Sequence, residues 1–220
     1  MNNYTVDLEH SVTIPSGKSF LEGILYIPNK AKSIVLFVHG SGSSRFSTRN
    51  QYVAQILNRA NHATLLFDLL TPEEDIIDNI TREFRFDIKL LASRLLNVTH
   101  WCLSELDSHQ LSLGYFGAST GGGAALVAAA QETDLVNAVV SRGGRPDLAD
   151  EALPHVKAPT LLIVGGNDEV VIELNQAAQS QMTCVCQLEI VPGATHLFEE
   201  PGTLDEVARL AKEWFDRYLI

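Results

Sequence analysis

The segment "GYFGASTGGG", positions 114–123, sets five glycines and one serine between an apolar run and an alanine-rich run. Two chemistries use such a stretch. A glycine-rich turn brings backbone N–H groups up to the pyrophosphate of a dinucleotide. A strand-to-helix elbow instead lifts a serine out as a nucleophile, and G-x-S-x-G removes side chains where strand and helix would collide. The first chemistry is hydride transfer and the second is acyl transfer.

Gly117, Gly121 and Gly123 have the G-x-x-x-G-x-G spacing of short-chain dehydrogenases. That loop normally follows the first strand, whereas here it follows the third strand after a hairpin. The tyrosine–lysine pair that such enzymes need is met only by Tyr26 and Lys30, upstream and beside Pro28. No acid ends a following strand about 20 residues on, where a ribose partner belongs. The elbow fits better. Gly117 and Gly121 flank Ser119, Ala118 keeps crowding low, and the following helix aims N–H groups, including that of Thr120, at developing negative charge.

A serine hydroxyl is a weak nucleophile without a base, and the base needs an acid to orient it. Of the seven histidines, His39 and His196 are expected in loops directly after strands. His10, His62, His100, His109 and His155 are expected in turns or on exposed helical faces, solvated. His196, in "IVPGATHLF", completes the chain order Ser…acid…His. Asp168, in "PTLLIVGGNDEVV", is the expected acid, with Asp147 in "RGGRPDL" as its rival. The structural alternative for Asp168 is a helix N-cap.

His39 ends "SIVLFVHG" and is expected to brace the loop "HGSGSS" at the substrate site. The Ser41 N–H, or that of Gly40, would join Thr120 as an oxyanion donor. Arg45 and Arg49 follow one strand, and Arg142 and Arg145 follow another. In a chain of net charge -11 this local basic cluster offers a site for a substrate carboxylate or phosphate, with Arg142 and Arg145 as the contact residues. Pairing with nearby acids is the competing reading and the slightly favoured one.

These residues need a frame. "YTVDLEHSVTI" and "LEGILYIP" read as a hairpin about "PSGKS". "SIVLFVH", "ATLLFDLL", "LSLGYFG", "AVVSRGG", "PTLLIVGG" and "CQLEIVPG" then read as strands. "QYVAQILNRA", "FDIKLLASRLLNVTHWCLSEL", "STGGGAALVAAAQ", "EVVIELNQAAQSQ" and "TLDEVARLAKEWFDRYL" have helical period. The alternation predicts an α/β fold, a doubly wound, mostly parallel sheet of about eight strands with helices on both faces. Ligands of such sheets bind beyond the carboxyl ends of the strands, where the candidate residues lie.

A length of 220 residues, 45% hydrophobic and 20% charged, fits a single domain over 1–220. The acidic balance, with a pI of about 5.0, excludes a nucleic-acid partner. "MNNYTVDLEH" lacks the basic start and apolar core of a signal peptide, and no apolar run approaches the roughly 20 residues of a membrane span. A cytoplasmic protein with no membrane partner is expected, as a monomer or homodimer. Cys102, Cys184 and Cys186 lack CxxC spacing and read as reduced thiols. HExxH and clustered His/Asp spacings are missing, so neither metal nor cofactor is expected.

The set "VHGSGSS", "GASTGG", "VGGNDEVV" and "GATHLF" resembles the α/β-hydrolase superfamily, specifically its compact dienelactone-hydrolase-like branch, from about Leu21 to Tyr218. The resemblance implies an α/β-hydrolase fold without a separate lid domain, with Ser119 as nucleophile, Asp168 as acid and His196 as base. Dienelactone hydrolases proper carry cysteine at the elbow. Ser119 moves the expectation to serine esterase, thioesterase or acyl-peptidase chemistry. Similar proteins also occur joined to a phosphoribosyltransferase domain, which is not expected within these 220 residues. "TPEEDIIDNITREF" reads as an acidic loop and the sole cover of the site, which argues against interfacial action on long-chain fat. The expected function is cleavage of a small acyl ester or thioester through an acyl-enzyme. The alternative is a non-catalytic protein that keeps the pocket for a ligand or partner.

Overall fold

A computed structural model describes residues 4–106 and 111–220. Strands β1 (Glu9–Ser16) and β2 (Ser19–Tyr26) form the hairpin, turning tightly at Gly17 and Lys18. β1 is an edge strand and alternates, burying Val12, Ile14 and Ser16 while Glu9, Ser11, Thr13 and Pro15 face outward. Strands β3 (Ser33–Val38), β4 (His62–Phe67) and β7 (Thr160–Gly165) are buried along their whole length. Their continuous apolar runs follow from helices packed on both sheet faces. β5 (Ser112–Ala118), β6 (Val136–Arg142) and β8 (Cys186–Val191) complete the sheet. The order is β1-β2-β4-β3-β5-β6-β7-β8, antiparallel at β1–β2 and β2–β4 and parallel from β4 to β8.

Helices α1 (Thr48–Arg59), α2 (Pro72–Thr81), α3 (Ile88–Glu105), α4 (Thr120–Gln131), α5 (Glu169–Gln179) and α6 (Thr203–Tyr218) divide over the two faces. α1 and α6 cover one core with Val35, Phe37 and Phe116, while α3 and α4 cover the other with Leu36, Val38 and Tyr115. α6 carries Val207, Ala208, Ala211, Trp214 and Phe215 on its inner stripe, a helical period matched to the sheet. Fully burying a Leu, Ile or Phe side chain stabilises by roughly 1.5–3 kcal/mol, so these two cores hold the strand ends in place. Among the described residues, no helix is long and apolar enough to cross a membrane.

Two expectations are corrected. The segment expected as an acidic loop contains α2. Thr71 and Glu74 form a reciprocal capping box, Pro72 opens the first turn, and Glu73, Glu74 and Asp75 complement the helix N-terminus. Its periodicity is hard to see because Asp78 is its sole buried residue. His62, expected in solvent, is fully buried at the start of β4, where Ser33 and Asp216 take its two ring nitrogens. His109 lies outside the described residues.

Candidate active site

Ser119 sits between β5 and α4 with φ +51° and ψ −123°. A non-glycine residue in this region costs on the order of 1–3 kcal/mol and persists only where its surroundings enforce it. Here the Ser119 N–H donates to the Arg142 carbonyl at 3.2 Å, and its own carbonyl accepts from the Gly122 and Arg145 N–H groups at 3.0 Å each. The close passage of helix over sheet explains the glycines. A Cβ on Gly117 would lie 2.6 Å from the Gly121 carbonyl oxygen, and one on Gly121 would lie 2.2 Å from that of Val38. Gly122 and Gly123, beyond the elbow's own needs, let α4 approach the chain leaving β6. Their Cβ atoms would meet Ser141 Oγ at 2.5 Å and the Arg145 carbonyl at 2.7 Å.

His196 follows β8, and its ring reaches back over the elbow. Nε2 lies 3.4 Å from Ser119 Oγ, and Nδ1 lies 2.6 Å from Asp168 Oδ2. Asp168 does occupy the N-cap position of α5, yet its side chain makes no capping bond and turns to the histidine instead. The rival Asp147 is taken by Arg145, whose Nε and Nη2 donate to it at 2.8 and 2.7 Å. Sequence order and geometry thus agree on one serine, one histidine and one acid at the carboxyl edge of the sheet.

The β3–α1 loop crosses directly above this edge: a Cβ on Gly40 would stand 3.0 Å from Ser119 Cβ. Among the described residues, neither the Ser41 nor the Thr120 backbone N–H donates to another protein atom. The two side-chain hydroxyls of Ser41 and Thr120 are 3.0 Å apart and tie loop to helix. His39 holds the loop from beneath. Its Nε2 accepts the Leu69 N–H at 3.0 Å, so its Nδ1–H is the donor to the Gly40 carbonyl at 2.9 Å. Burial keeps this imidazole below its ordinary pKa, and with both nitrogens used it is a neutral brace.

A cavity of about 550 Å³ opens on the Ser41–Thr120 side, bounded by Phe46, Leu69, Asp75 and Arg85. That volume suits a small ligand. α2 forms part of its wall through Pro72, Asp75 and Asn79, a contribution invisible while that segment read as a loop. Asp78 anchors this wall: it accepts from the Arg85 and Phe84 N–H groups and from Arg85 Nε at 2.5 Å. Burial alone would raise its pKa, but these bonds hold it below the ordinary carboxylate value.

The four arginines expected near the site separate. Arg45 is bound to Asp68, and Arg145 is bound to Asp147. Arg49 touches the exposed Glu199 at 3.2 Å. Arg142 is buried with no carboxylate or hydrogen-bond acceptor among the described residues. Among the described residues there is also no group of three or more His, Cys, Asp or Glu side chains placed to hold a metal ion.

Solved structures share this architecture. The dienelactone hydrolase of Anabaena variabilis ATCC 29413 is 60% identical, with a TM-score of 0.95 over 97% of this chain and 99% of that one. Est1E from Butyrivibrio proteoclasticus matches with a TM-score of 0.78 at 19% identity, over 94% of this chain and 98% of its own, a likeness of fold. A Mycobacterium tuberculosis protein provisionally named phosphoribosyl transferase is 59% identical over 211 residues, 96% of this chain and 47% of that protein. The chain therefore spans about half the length of that curated relative. The sequence profile of the dienelactone hydrolase family matches residues 21–219. With this match, an eight-stranded sheet and a 60% identical relative in hand, the chain belongs to the dienelactone hydrolase family and has the α/β-hydrolase fold.

Proposed function

We propose that the protein is a serine hydrolase that cleaves small acyl esters or thioesters through an acyl-enzyme. The observation that carries this reading is the continuous bonding from Ser119 Oγ through His196 to Asp168, at 3.4 and 2.6 Å, on a strained elbow. The longer of the two is ordinary for a resting site, since such bonds tighten once substrate is bound.

In the proposed reaction Ser119 Oγ forms a bond to the substrate carbonyl carbon while its proton passes to His196 Nε2. The carbonyl electron pair moves onto oxygen, which receives the Ser41 and Thr120 N–H groups, with Gly40 as the alternative donor. Each such donor is typically worth about 10²–10³ in kcat. Collapse of this intermediate breaks the bond to the leaving oxygen or sulfur, which takes the proton from His196. Water then attacks the acyl-enzyme, gives its proton to the same nitrogen, and Ser119 leaves with that proton restored. Asp168 holds the Nδ1–H of His196 and stabilises the imidazolium formed in each half-reaction. The acyl group occupies the cavity beside Ser41 and Thr120, on the opposite side from the proton-donating histidine. Its 550 Å³ lies in the ordinary range for a small-molecule site.

A fluorophosphonate labels an activated serine covalently. The adduct is expected on Ser119, located by mass spectrometry of peptides from folded protein. An unlabelled Ser119 would overturn the reading.

A further inference from the structure

Arg142 is the last residue of β6, in register with Ala118 and so one strand away from the nucleophile. Ala138 and Val140, at alternate positions of the same strand, pack in the core beneath α1 and α6. By the same alternation Arg142 points to that face. Its guanidinium lies 5.9 Å from the Phe198 ring, under the turn that carries His196. The residue is 7% exposed and its Nε is enclosed without a partner. An unpaired cation in such a place costs several kcal/mol of solvation unless something compensates it. Phe198 offers a weak attraction from its ring face, and is itself held at φ +57°.

Further positive charge converges on the same spot. Arg49 is close enough to depress the Arg142 pKa, which burial chiefly, and the Arg49 charge secondarily, bring down to about 10. Arg142 therefore stays a cation at neutral pH. Arg49 Nε is also enclosed without a partner, and the first turn of α1 that carries it holds no acid. Of the nearby acids, Glu200 is engaged with Thr195 and Asp205 with Tyr52, while the exposed Glu199 takes the Nη1 of Arg49 and leaves its Nε without a partner. An oxyanion matches this set, because guanidinium N–H groups and helix N-terminal N–H groups both donate to carboxylate or phosphate.

We propose that Arg142 and Arg49 form a subsite for an oxyanion group, carboxylate or phosphate, carried on the leaving-group half of the substrate. The proposal rests on the serine-hydrolase reading. The side is decided by geometry. The cavity assigned to the acyl group is walled by Ser41 and Thr120, whereas Arg142 lies beneath the His196–Phe198 turn. A Cβ on neighbouring Gly143 would stand 3.6 Å from His196 Cε1. The leaving atom must lie at His196 Nε2 to receive its proton, and the proposal places the group attached to it on the Arg142 side of that histidine.

Four esters test this: neutral phenyl acetate, 4-carboxyphenyl acetate, 4-acetoxyphenyl phosphate, and monophenyl succinate with its charge on the acyl half. Intrinsic reactivity cancels when Arg142→Met is compared with wild type on each. The kcat/KM ratio of an anionic-leaving-group ester to phenyl acetate is expected to fall about tenfold or more in the variant. The carboxyl and phosphoryl arms then show which oxyanion the subsite prefers. Arg49→Gln is expected to lower the same ratio about threefold, since its charge is shared with Glu199. An equal loss on all four esters, or a loss confined to monophenyl succinate, overturns the subsite while Ser119-dependent hydrolysis keeps the hydrolase reading. Binding is measured separately by calorimetry with 4-hydroxybenzoate and 4-hydroxyphenyl phosphate. At least one should bind about tenfold more weakly to Arg142→Met, and unchanged affinity for both overturns the proposal even if no ester is turned over. The melting temperature of Arg142→Met should hold or rise, because an unpaired buried charge is removed; a marked fall would make Arg142 structural and overturn the subsite.

Discussion

Among the described residues, a Ser-His-Asp chain stands at each end of the sheet. At the carboxyl edge stand Ser119, His196 and Asp168. At the amino edge, Ser33 Oγ lies 2.5 Å from His62 Nδ1, and His62 Nε2 lies 3.1 Å from Asp216 Oδ1. Residue types do not separate them. Position in the fold does. Ser33 is an ordinary strand residue paired on both sides, with His62 and Ser112, and both it and His62 are fully buried. Ser119 is turned out of the ladder at an elbow, beside two uncommitted N–H groups and a cavity. Asp216 is held by Lys32 and Lys212, whereas Asp168 is bound to its histidine and, among the described residues, to no lysine or arginine. The amino-edge chain ties β3 and β4 to α6, and the carboxyl-edge chain faces the place where a substrate carbonyl would sit.

The largest expected contrast lies between the two serines. Ser119→Ala should lower kcat/KM on phenyl acetate by at least about 10³-fold, leaving the residual rate that bound N–H donors alone support. Ser33→Ala should leave that rate within about twofold and instead lower stability by about 1–3 kcal/mol, since it strands a buried imidazole nitrogen. Steady-state hydrolysis and urea unfolding of both variants read the two axes. A loss of turnover in Ser33→Ala at full stability would break the distinction.

The aspartates should divide in the same way. Asp168→Asn keeps the shape but presents a donor or neutral acceptor to His196 Nδ1, favouring the wrong tautomer; a fall in kcat on the order of 10³–10⁴ is expected. Asp216→Asn removes the partner of two lysines and should cost stability while sparing kcat, as thermal melts and rates on the same preparations would show. The elbow itself is the third contrast. Gly121→Ala places a methyl against the Val38 and His39 carbonyls, at 2.2 and 2.5 Å, and neither is a movable side-chain tip. A loss of about 1–3 kcal/mol is expected from such overpacking, together with weaker turnover as the β3–α1 loop shifts. A wild-type urea midpoint and rate in Gly121→Ala would overturn this steric account of the elbow.

The carboxyl-edge chain was legible in sequence because each member closely follows a strand, at the edge where an α/β sheet places its chemistry. The strands themselves were readable because β3, β4 and β7 are buried on both faces and so appear as unbroken apolar runs. The amino-edge chain was not legible. His62 is a strand's first residue, and what buries it, Ser33 and Asp216, lies 29 and 154 positions away. α2 was hidden because its one buried side chain is polar, although Thr71-x-x-Glu74 carried a capping signature. Nor could sequence sort the arginines. Arg145 and Asp147 are near neighbours in sequence, but the Arg45–Asp68 pair and the isolation of Arg142 appear only once the loops are assembled.

The smallest effect concerns pH and isolates the buried chain. Burial, more than any neighbour, holds the His62 pKa below 6.5; Asp216 pushes it back up, while Lys32 and Lys212 add to the lowering. The folded state thus binds this proton less readily than the unfolded chain. Stability from a neutral His62 is complete above the unfolded value near 6.5 and is lost as pH falls below it, by at most about 1.4 kcal/mol per pH unit. Asp216 acts lower. Burial raises it, but hydrogen bonds from Lys212 and Lys32 prevail and hold it at about 2, so its contribution fades only between about pH 4 and 2. His39 is also depressed, mainly by burial, and adds a slope of the same sign. Melting temperatures between pH 7.5 and 5 should therefore fall in wild type and fall less steeply in His62→Gln, which keeps the polar contacts but cannot titrate. Parallel slopes would mean that Asp216 stabilises His62⁺ as well as burial opposes it, and the amino-edge chain would then share the charge-holding property otherwise proposed for the carboxyl edge alone.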